Sequence, residues 1–329
     1  MRAWLLEESP GTYREAEVPT PEPGGDEVRV RVVVSALNHM DLWVTRGLPR
    51  PPLPHVPGAD GAGVVEAVGD RVDTVAVGDE VVINPAVSCR TCPVCLSGES
   101  PLCPHFAILG EHRWGTHAEA VVLPAANLVP RPPGRSWEDL AAYPLCTLTA
   151  WRMLRRARLR AGETMIVVGI GGGVSSAGLA LGVAMGARVF ATSRDAAKRA
   201  RALTLGAEGA FDSEIDFPVK ADVVFENVGA ATWDRSLRSL APGGRLVTCG
   251  GTAGSKVELS LPRLFFKQHE IIGSTMGSYA EFDQVTGLIG AGLPVAVDQV
   301  IDGLGSLPTA LDKLEAGAQL GKIVLRHGP

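Results

Sequence analysis

The stretch from Met165 to Ala187 runs for twenty-three residues without a charged side chain, and seven of them are glycine. Length alone would let such a stretch cross a bilayer. The pattern argues for something else. Met165-Ile166-Val167-Val168 is a short β-branched run, the glycines from Gly169 to Gly173 make a turn, and Val174 to Gly186 has helical spacing. A strand that turns through glycines into a helix brings bare backbone close to a pyrophosphate, over unpaired N–H groups at the helix start. Gly169, Gly171, Gly172, Gly173 and Val174 are therefore the expected phosphate-binding residues.

Strands and helices continue to alternate beyond it. Arg188 to Thr192 reads as a strand, Ala196 to Leu205 as a helix, and Ala221 to Phe225, Arg245 to Cys249 and Ile271 to Gly273 as further strands. Such βαβ alternation implies a doubly wound parallel sheet. The second strand ends Thr192-Ser193-Arg194, without the acidic residue that usually holds the ribose hydroxyls of NAD; Asp195 comes slightly late. Ser193 and Arg194, with Lys198, suit a 2′-phosphate instead, which favours NADP over NAD.

The part before Ser136 is β-rich. Glu27 to Val34 alternates charged and apolar residues, as a half-buried strand does, and Gly63 to Gly69, Asp79 to Ile83 and Ala118 to Pro124 are further short strands. They suggest a barrel-like β domain. Ser136 with Glu138 and Asp139 marks a helix start, and a second helix is expected through Thr149 to Leu154. A helix over Leu307 to Ala316 and a strand over Gly321 to Leu325 close the C-terminal part.

Four of the six cysteines, Cys89, Cys92, Cys95 and Cys103, fall within fifteen residues at Cys-x2-Cys-x2-Cys-x7-Cys spacing. Four thiolates satisfy tetrahedral zinc and leave no open coordination position, so the expected ion is structural. A formal net charge of −5 argues against a nucleic-acid surface, which needs Lys and Arg in clear excess. The first residues become acidic before any long apolar run forms, unlike a signal peptide, and cytoplasmic localisation is expected, with no membrane and no nucleic acid as partner.

With these features together, the chain resembles the zinc-containing medium-chain dehydrogenase/reductase superfamily of alcohol dehydrogenases and quinone oxidoreductases. Val56-Pro57-Gly58-Ala59-Asp60-Gly61 through Gly69 matches its central signature, the cysteine loop its structural-zinc lobe, Gly169 to Ser175 its coenzyme turn, and Gly321 to Leu325 its terminal strand. The resemblance implies an α/β protein with a GroES-like β-rich catalytic domain over 1–149 and 274–329, its zinc lobe near 85–110, and a Rossmann coenzyme domain over 150–273. It places the active site in the cleft between the two. It also implies cofactor contacts at Thr149, Asn227, Gly229, Gly250 (with Gly251) and Ser274, and assembly as a homodimer or homotetramer. The passage from Gly206 to Ala221 is shorter than the family's, so its helix is expected to be absent or vestigial.

Departures from the family bear on mechanism. Its alcohol dehydrogenases hold a catalytic zinc through a Cys, a His in Gly-His-Glu, and a third ligand. Here those first two positions read Asn38 and, in Gly58-Ala59-Asp60, Ala59. Asn38 and Asp41 resemble the Asn-x-x-Asp pattern of the quinone oxidoreductase branch, which works without zinc. The expected reaction is hydride transfer from NAD(P)H to an activated C=C bond or quinone, with Asn38 or His39 as hydrogen-bond donor or substrate clamp and Trp43 lining the pocket. His112 and His117 are further candidates. Two alternatives stay open: an alcohol dehydrogenase whose catalytic zinc is rebuilt from His39, Asp41, His55, Asp60 and Cys146, and a non-catalytic dinucleotide sensor.

Overall fold

A computed structural model describes residues 1–328 and divides the chain into two units, Met1–Leu145 with Gly277–Pro329, and Cys146–Met276.

The first unit is built on a seven-stranded sheet. Its strand order is Val297–Asp302, Lys322–Arg326, Glu27–Ala36, Asp60–Val68, Glu80–Ile83, Leu128–Pro130, with Ala120–Pro124 also paired to Glu27–Ala36. The alternation in Glu27–Ala36 decides its faces: Val28, Val30, Val32 and Val34 are buried, while Glu27, Arg29, Arg31 and Val33 are more exposed. The buried valines pack with Val65, Val81, Ile83, Val121 and Leu123 into the unit's main core. Full burial of each such side chain contributes roughly 1.5–3 kcal/mol. This is the GroES-like β domain.

Two elements of this unit are not apparent from periodicity. Arg2–Leu5 and Arg14–Glu17 form an antiparallel ribbon. The helix Tyr279–Gly290 starts at Ser278, whose side chain accepts from Glu281 N–H while the Glu281 carboxylate accepts from Ser278 N–H. Ser-x-x-Glu was the readable signal for it.

The second unit has six strands, all parallel, in the order Gly209–Phe211, Arg188–Thr192, Thr164–Val167, Ala221–Glu226, Leu240–Thr248, Glu270–Gly273. Numbered within the unit, this is the 3-2-1-4-5-6 order of a Rossmann sheet. Helices Gly173–Ala184, Ala196–Thr204, Trp233–Ser239 and Leu261–Phe266 make four of the crossovers. The crossover from Phe211 to Ala221 has no helix. Its Phe217 is buried with Ile166, Phe190 and Val224, supplying apolar cover in a helix's place.

Leu240–Thr248 begins five residues earlier than the strand read from sequence, running through Pro242-Gly243-Gly244 with a register shift between Ala221 and Val223 on its partner. The helix expected from Thr149 begins at Pro144 and reaches Arg156. Among the described residues no helix is long and apolar enough to cross a membrane.

Candidate active and metal sites

In the first unit the four cysteine sulfurs lie within 4.8 Å of one another, the one such group of three or more His, Cys, Asp or Glu side chains among the described residues. Cys89 to Cys95 is 3.9 Å, Cys92 to Cys103 is 3.9 Å and Cys89 to Cys103 is 3.5 Å. Zn–S bonds of ~2.3 Å at tetrahedral angles put sulfurs about 3.8 Å apart, whereas a disulfide needs ~2 Å. The donor set and its spacing thus fit zinc. Backbone N–H groups already point at sulfur, from Cys95 to Cys92 at 3.4 Å and from His105 to Cys103 at 3.3 Å. N–H donors of Thr91 and Cys92 hold the Cys89 thiol down at about 5. The loop is anchored by Tyr279, whose hydroxyl accepts from Ser88 N–H and donates to Asn127 Oδ1, and whose ring carries the Arg90 guanidinium at 5.4 Å.

Around Asn38 the unit holds a buried polar network. Lys322 Nζ donates to Asn38 Oδ1 at 2.6 Å and to Asp60 Oδ2 at 2.7 Å, and Asn38 Nδ2 donates to the same Asp60 oxygen at 2.9 Å. The other Asp60 oxygen accepts from Leu145 N–H at 2.7 Å. All three side chains are buried. Burial of a charge is tolerated only with such pairing. The network also fixes the Asn38 carboxamide: its oxygen must face the ammonium and its nitrogen the carboxylate.

This bears on the rebuilt-zinc alternative. Asp60 is committed to an ion pair and a backbone donor. Asp41 is committed too, accepting from Asn38 N–H at 2.8 Å and Gly58 N–H at 3.1 Å. His55 is wholly buried against Leu6, and burial lowers its pKa. His117 Nδ1 meets Ser35 Oγ at 3.0 Å, and Ser35 Oγ meets His327 Nε2 at 2.8 Å, inside the core. His112 Nδ1 accepts from Ile108 N–H, a loop role. His39 and Trp43 lie half-buried on the helix His39–Thr45, ring centres 6.4 Å apart. Burial, then the Lys322 ammonium, pushes the His39 imidazole below its ordinary value, which favours its neutral form.

In the second unit the glycine turn follows Thr164–Val167. Gly169 has φ +72°, and a Cβ there would come within 2.7 Å of Val228. Gly172 is the N-cap of Gly173–Ala184, supplies no side-chain cap, and a Cβ added there would meet no protein atom within 4 Å. A twelve-residue helix that starts behind a bare glycine, with no side-chain cap on its first N–H groups, suits a diphosphate. The dinucleotide therefore fits these residues. Gly171 and Val174 lie within the same turn and first helical turn.

At the next strand tip Asp195 is the N-cap of Ala196–Thr204, accepting from Ala197 N–H at 2.7 Å and Lys198 N–H at 3.3 Å. It caps this helix. Ser193 Oγ accepts from Asp195 N–H, and Arg199 holds the Ser193 and Arg194 carbonyls, leaving Arg194 exposed at the turn. Asn227 Nδ2 donates to Ser175 Oγ at 3.0 Å, joining the glycine-turn helix to the tip of Ala221–Glu226. Gly229 and Gly250 follow their strands at the same sheet end. Ser274 Oγ is buried without a hydrogen-bond partner, and Thr149 Oγ1 lies 3.7 Å from Met276 Sδ.

Comparison with known proteins bears on both units. Residues 24–133 match the alcohol dehydrogenase GroES-like domain and 173–291 the zinc-binding dehydrogenase domain. An acryloyl-coenzyme A reductase of Sulfurisphaera tokodaii is 34% identical over 79% of this chain and 80% of its own. The chain belongs to the zinc-containing medium-chain dehydrogenase/reductase superfamily. A solved NAD-dependent alcohol dehydrogenase superposes with TM-score 0.94 at 42% identity over all of both chains. A 2-octenoyl-CoA carboxylase reductase, solved with NADP and 2-octenoyl-CoA, superposes with TM-score 0.90 at 27% identity, covering 96% of this chain and 82% of that one. As a member of this superfamily the protein is an NAD(P)-dependent oxidoreductase acting on C=C bonds or alcohols.

Proposed function

We propose that the protein is an NADPH-dependent reductase of activated C=C bonds, in α,β-unsaturated carbonyl compounds or quinones, carrying one structural zinc. The observation that carries this reading is the Lys322–Asn38–Asp60 network: side chains at and beside the positions of two catalytic-zinc ligands are engaged with an ammonium instead. The acryloyl-CoA reductase relative supports the same chemistry.

Bound at the glycine turn, the reduced nicotinamide supplies a hydride for the β-carbon of the substrate. Conjugation moves the electron pair to the carbonyl oxygen, where a hydrogen-bond donor lowers the barrier. Asn38, fixed in orientation, and neutral His39 are the donors we assign to this step or to substrate clamping; Trp43 supplies an apolar wall. The α-carbon takes its proton from water. Ser193, Arg194 and Lys198 favour the 2′-phosphate of NADP, and Asp195, spent as a cap, does not oppose it. Gly169 to Val174, Thr149, Asn227, Gly229, Gly250 and Ser274 complete the assigned cofactor contacts.

The high similarity to an alcohol dehydrogenase favours a second reading, alcohol–aldehyde interconversion with a second zinc. Metal analysis joined to turnover separates the two. About one zinc per chain, with NADPH oxidised by enones, quinones or enoyl thioesters, supports the reductase. About two zincs with alcohol-dependent reduction of NAD+ or NADP+ overturns it. Dinucleotide binding without turnover of any of these substrates would favour a sensor. We further propose a homodimer or homotetramer, supported by the exposed Phe265 and Phe266 on Leu261–Phe266 and checked by sedimentation.

A further inference from the structure

Glu226 ends the strand Ala221–Glu226, and its side chain is fully buried. A carboxylate in that position is costly unless its lone pairs are filled. Three donors offset that cost in part, Gly229 N–H at 2.9 Å, Val228 N–H at 3.3 Å and Thr232 Oγ1 at 2.7 Å, while burial still raises the carboxyl's pKa above its ordinary value. Every one of these donors belongs to the segment immediately after the strand. Glu226 therefore folds its own tip, Asn227-Val228-Gly229, back over itself.

That tip is tied to the two other glycine-rich segments at the same end of the sheet. Asn227 reaches Ser175 Oγ, which in turn donates to Val168 O at 3.1 Å, the residue before the glycine turn. Ala253 N–H donates to Val228 O at 2.7 Å, and Ala230 N–H to Gly254 O at 3.0 Å. Gly229, at φ +92°, packs so closely on this second loop that a Cβ would fall 2.3 Å from Gly254 O. The three segments form one hydrogen-bonded platform, and the group that sets the central one is Glu226.

We propose that Glu226 is a positioning residue for the dinucleotide: its carboxylate holds the Asn227–Gly229 tip in the shape that receives the cofactor, without touching it. The inference rests on the dinucleotide reading of this unit. A carboxylate suits the task and an amide does not. Glutamate presents acceptors on both oxygens, whereas glutamine turns an N–H2 donor towards a backbone N–H or the Thr232 hydroxyl. Aspartate is one methylene too short to reach all three donors. Cys249, on the neighbouring strand tip, is pushed up to about 12 by burial and stays a neutral thiol beside the carboxylate.

The test uses the full-length protein with Glu226→Gln and Thr232→Val, each titrated with NADPH by fluorescence and melted without ligand. Glu226→Gln is expected to weaken NADPH binding at least tenfold and to raise the KM for NADPH equally, with kcat at saturating NADPH within about twofold of wild type. Thr232→Val, which removes one donor and leaves both backbone donors, is expected to weaken binding about threefold, and Thr232→Ser to restore it. A folded Glu226→Gln that binds NADPH within twofold of wild type overturns the proposal. So does a Thr232→Val variant that melts earlier but binds normally, and this second arm decides the matter should Glu226→Gln not fold. Absence of binding of both NADPH and NADH by wild type itself overturns both this proposal and the reading beneath it.

Discussion

Lys322 Nζ sits 2.7 Å from Asp60 Oδ2, both side chains inside the β unit and 262 residues apart in the chain. Removing one member of a buried pair strands the other. Lys322→Met is expected to destabilise the protein by about 3–5 kcal/mol in urea unfolding at pH 7, and Asp60→Asn added to it to recover more than half of that. Additive losses would mean that the pair is not coupled.

Gly169 and Gly172 answer differently to the same kind of change. Gly169→Ala places a side chain at positive φ against Val228, and should cost at least ~1–2 kcal/mol of stability. A Cβ at Gly172 meets no protein atom within 4 Å, so the ligand-free melting temperature of Gly172→Val should stay within a few degrees while NADPH affinity drops tenfold or more. Equal affinities of Gly172→Val and wild type would remove the diphosphate from this turn.

Acid should unfold the β unit through its buried imidazoles. Burial, then the neighbouring His117, depresses His327 to about 3. An unfolded histidine titrates near 6.5, so below that pH the unfolded chain binds the extra proton. The stability is fully present above pH 6.5 and is lost as pH falls towards 3, at about 1.4 kcal/mol per pH unit. His327→Gln should flatten the fall measured by urea unfolding between pH 6.5 and 5 by about 2 kcal/mol.

Cys103→Ser should lower zinc to well under half an ion per chain by metal analysis and make the Ser88–Cys103 loop the first site of proteolysis. Melting of Cys146–Met276, followed by NADPH-dependent protection, should change little. Full zinc retention in this variant would mean that the quartet is not the metal site.

The features legible in the sequence were those whose chemistry is local. Four cysteines in fifteen residues declare a tetrahedral site wherever the loop lies, and a strand, glycines and a helix in succession declare their own fold. Asp60 shows the limit. Its sequence neighbours made it a possible metal ligand, but its role is set by Lys322, which no spacing rule connects to it. Asp195, slightly late in the sequence for a ribose acid, has a role set nearer by: the helix that follows needs a cap, and the first N–H groups of Ala196–Thr204 donate to the carboxylate. Leu240–Thr248 was clipped because Pro242-Gly243-Gly244 reads as a turn, and only pairing across the sheet carries the strand through it.

The place of Lys322–Arg326 has a consequence for the order of events during synthesis. This strand is not an edge: it lies between Val297–Asp302 and Glu27–Ala36. The continuous unit Cys146–Met276 can close its own sheet as it leaves the ribosome. Glu27–Ala36, made much earlier, then waits with the edge that faces Lys322–Arg326 unpaired, while an entire second unit is translated and folds. For that interval the older half of the protein is the less finished one, and a truncated product would carry that open edge permanently.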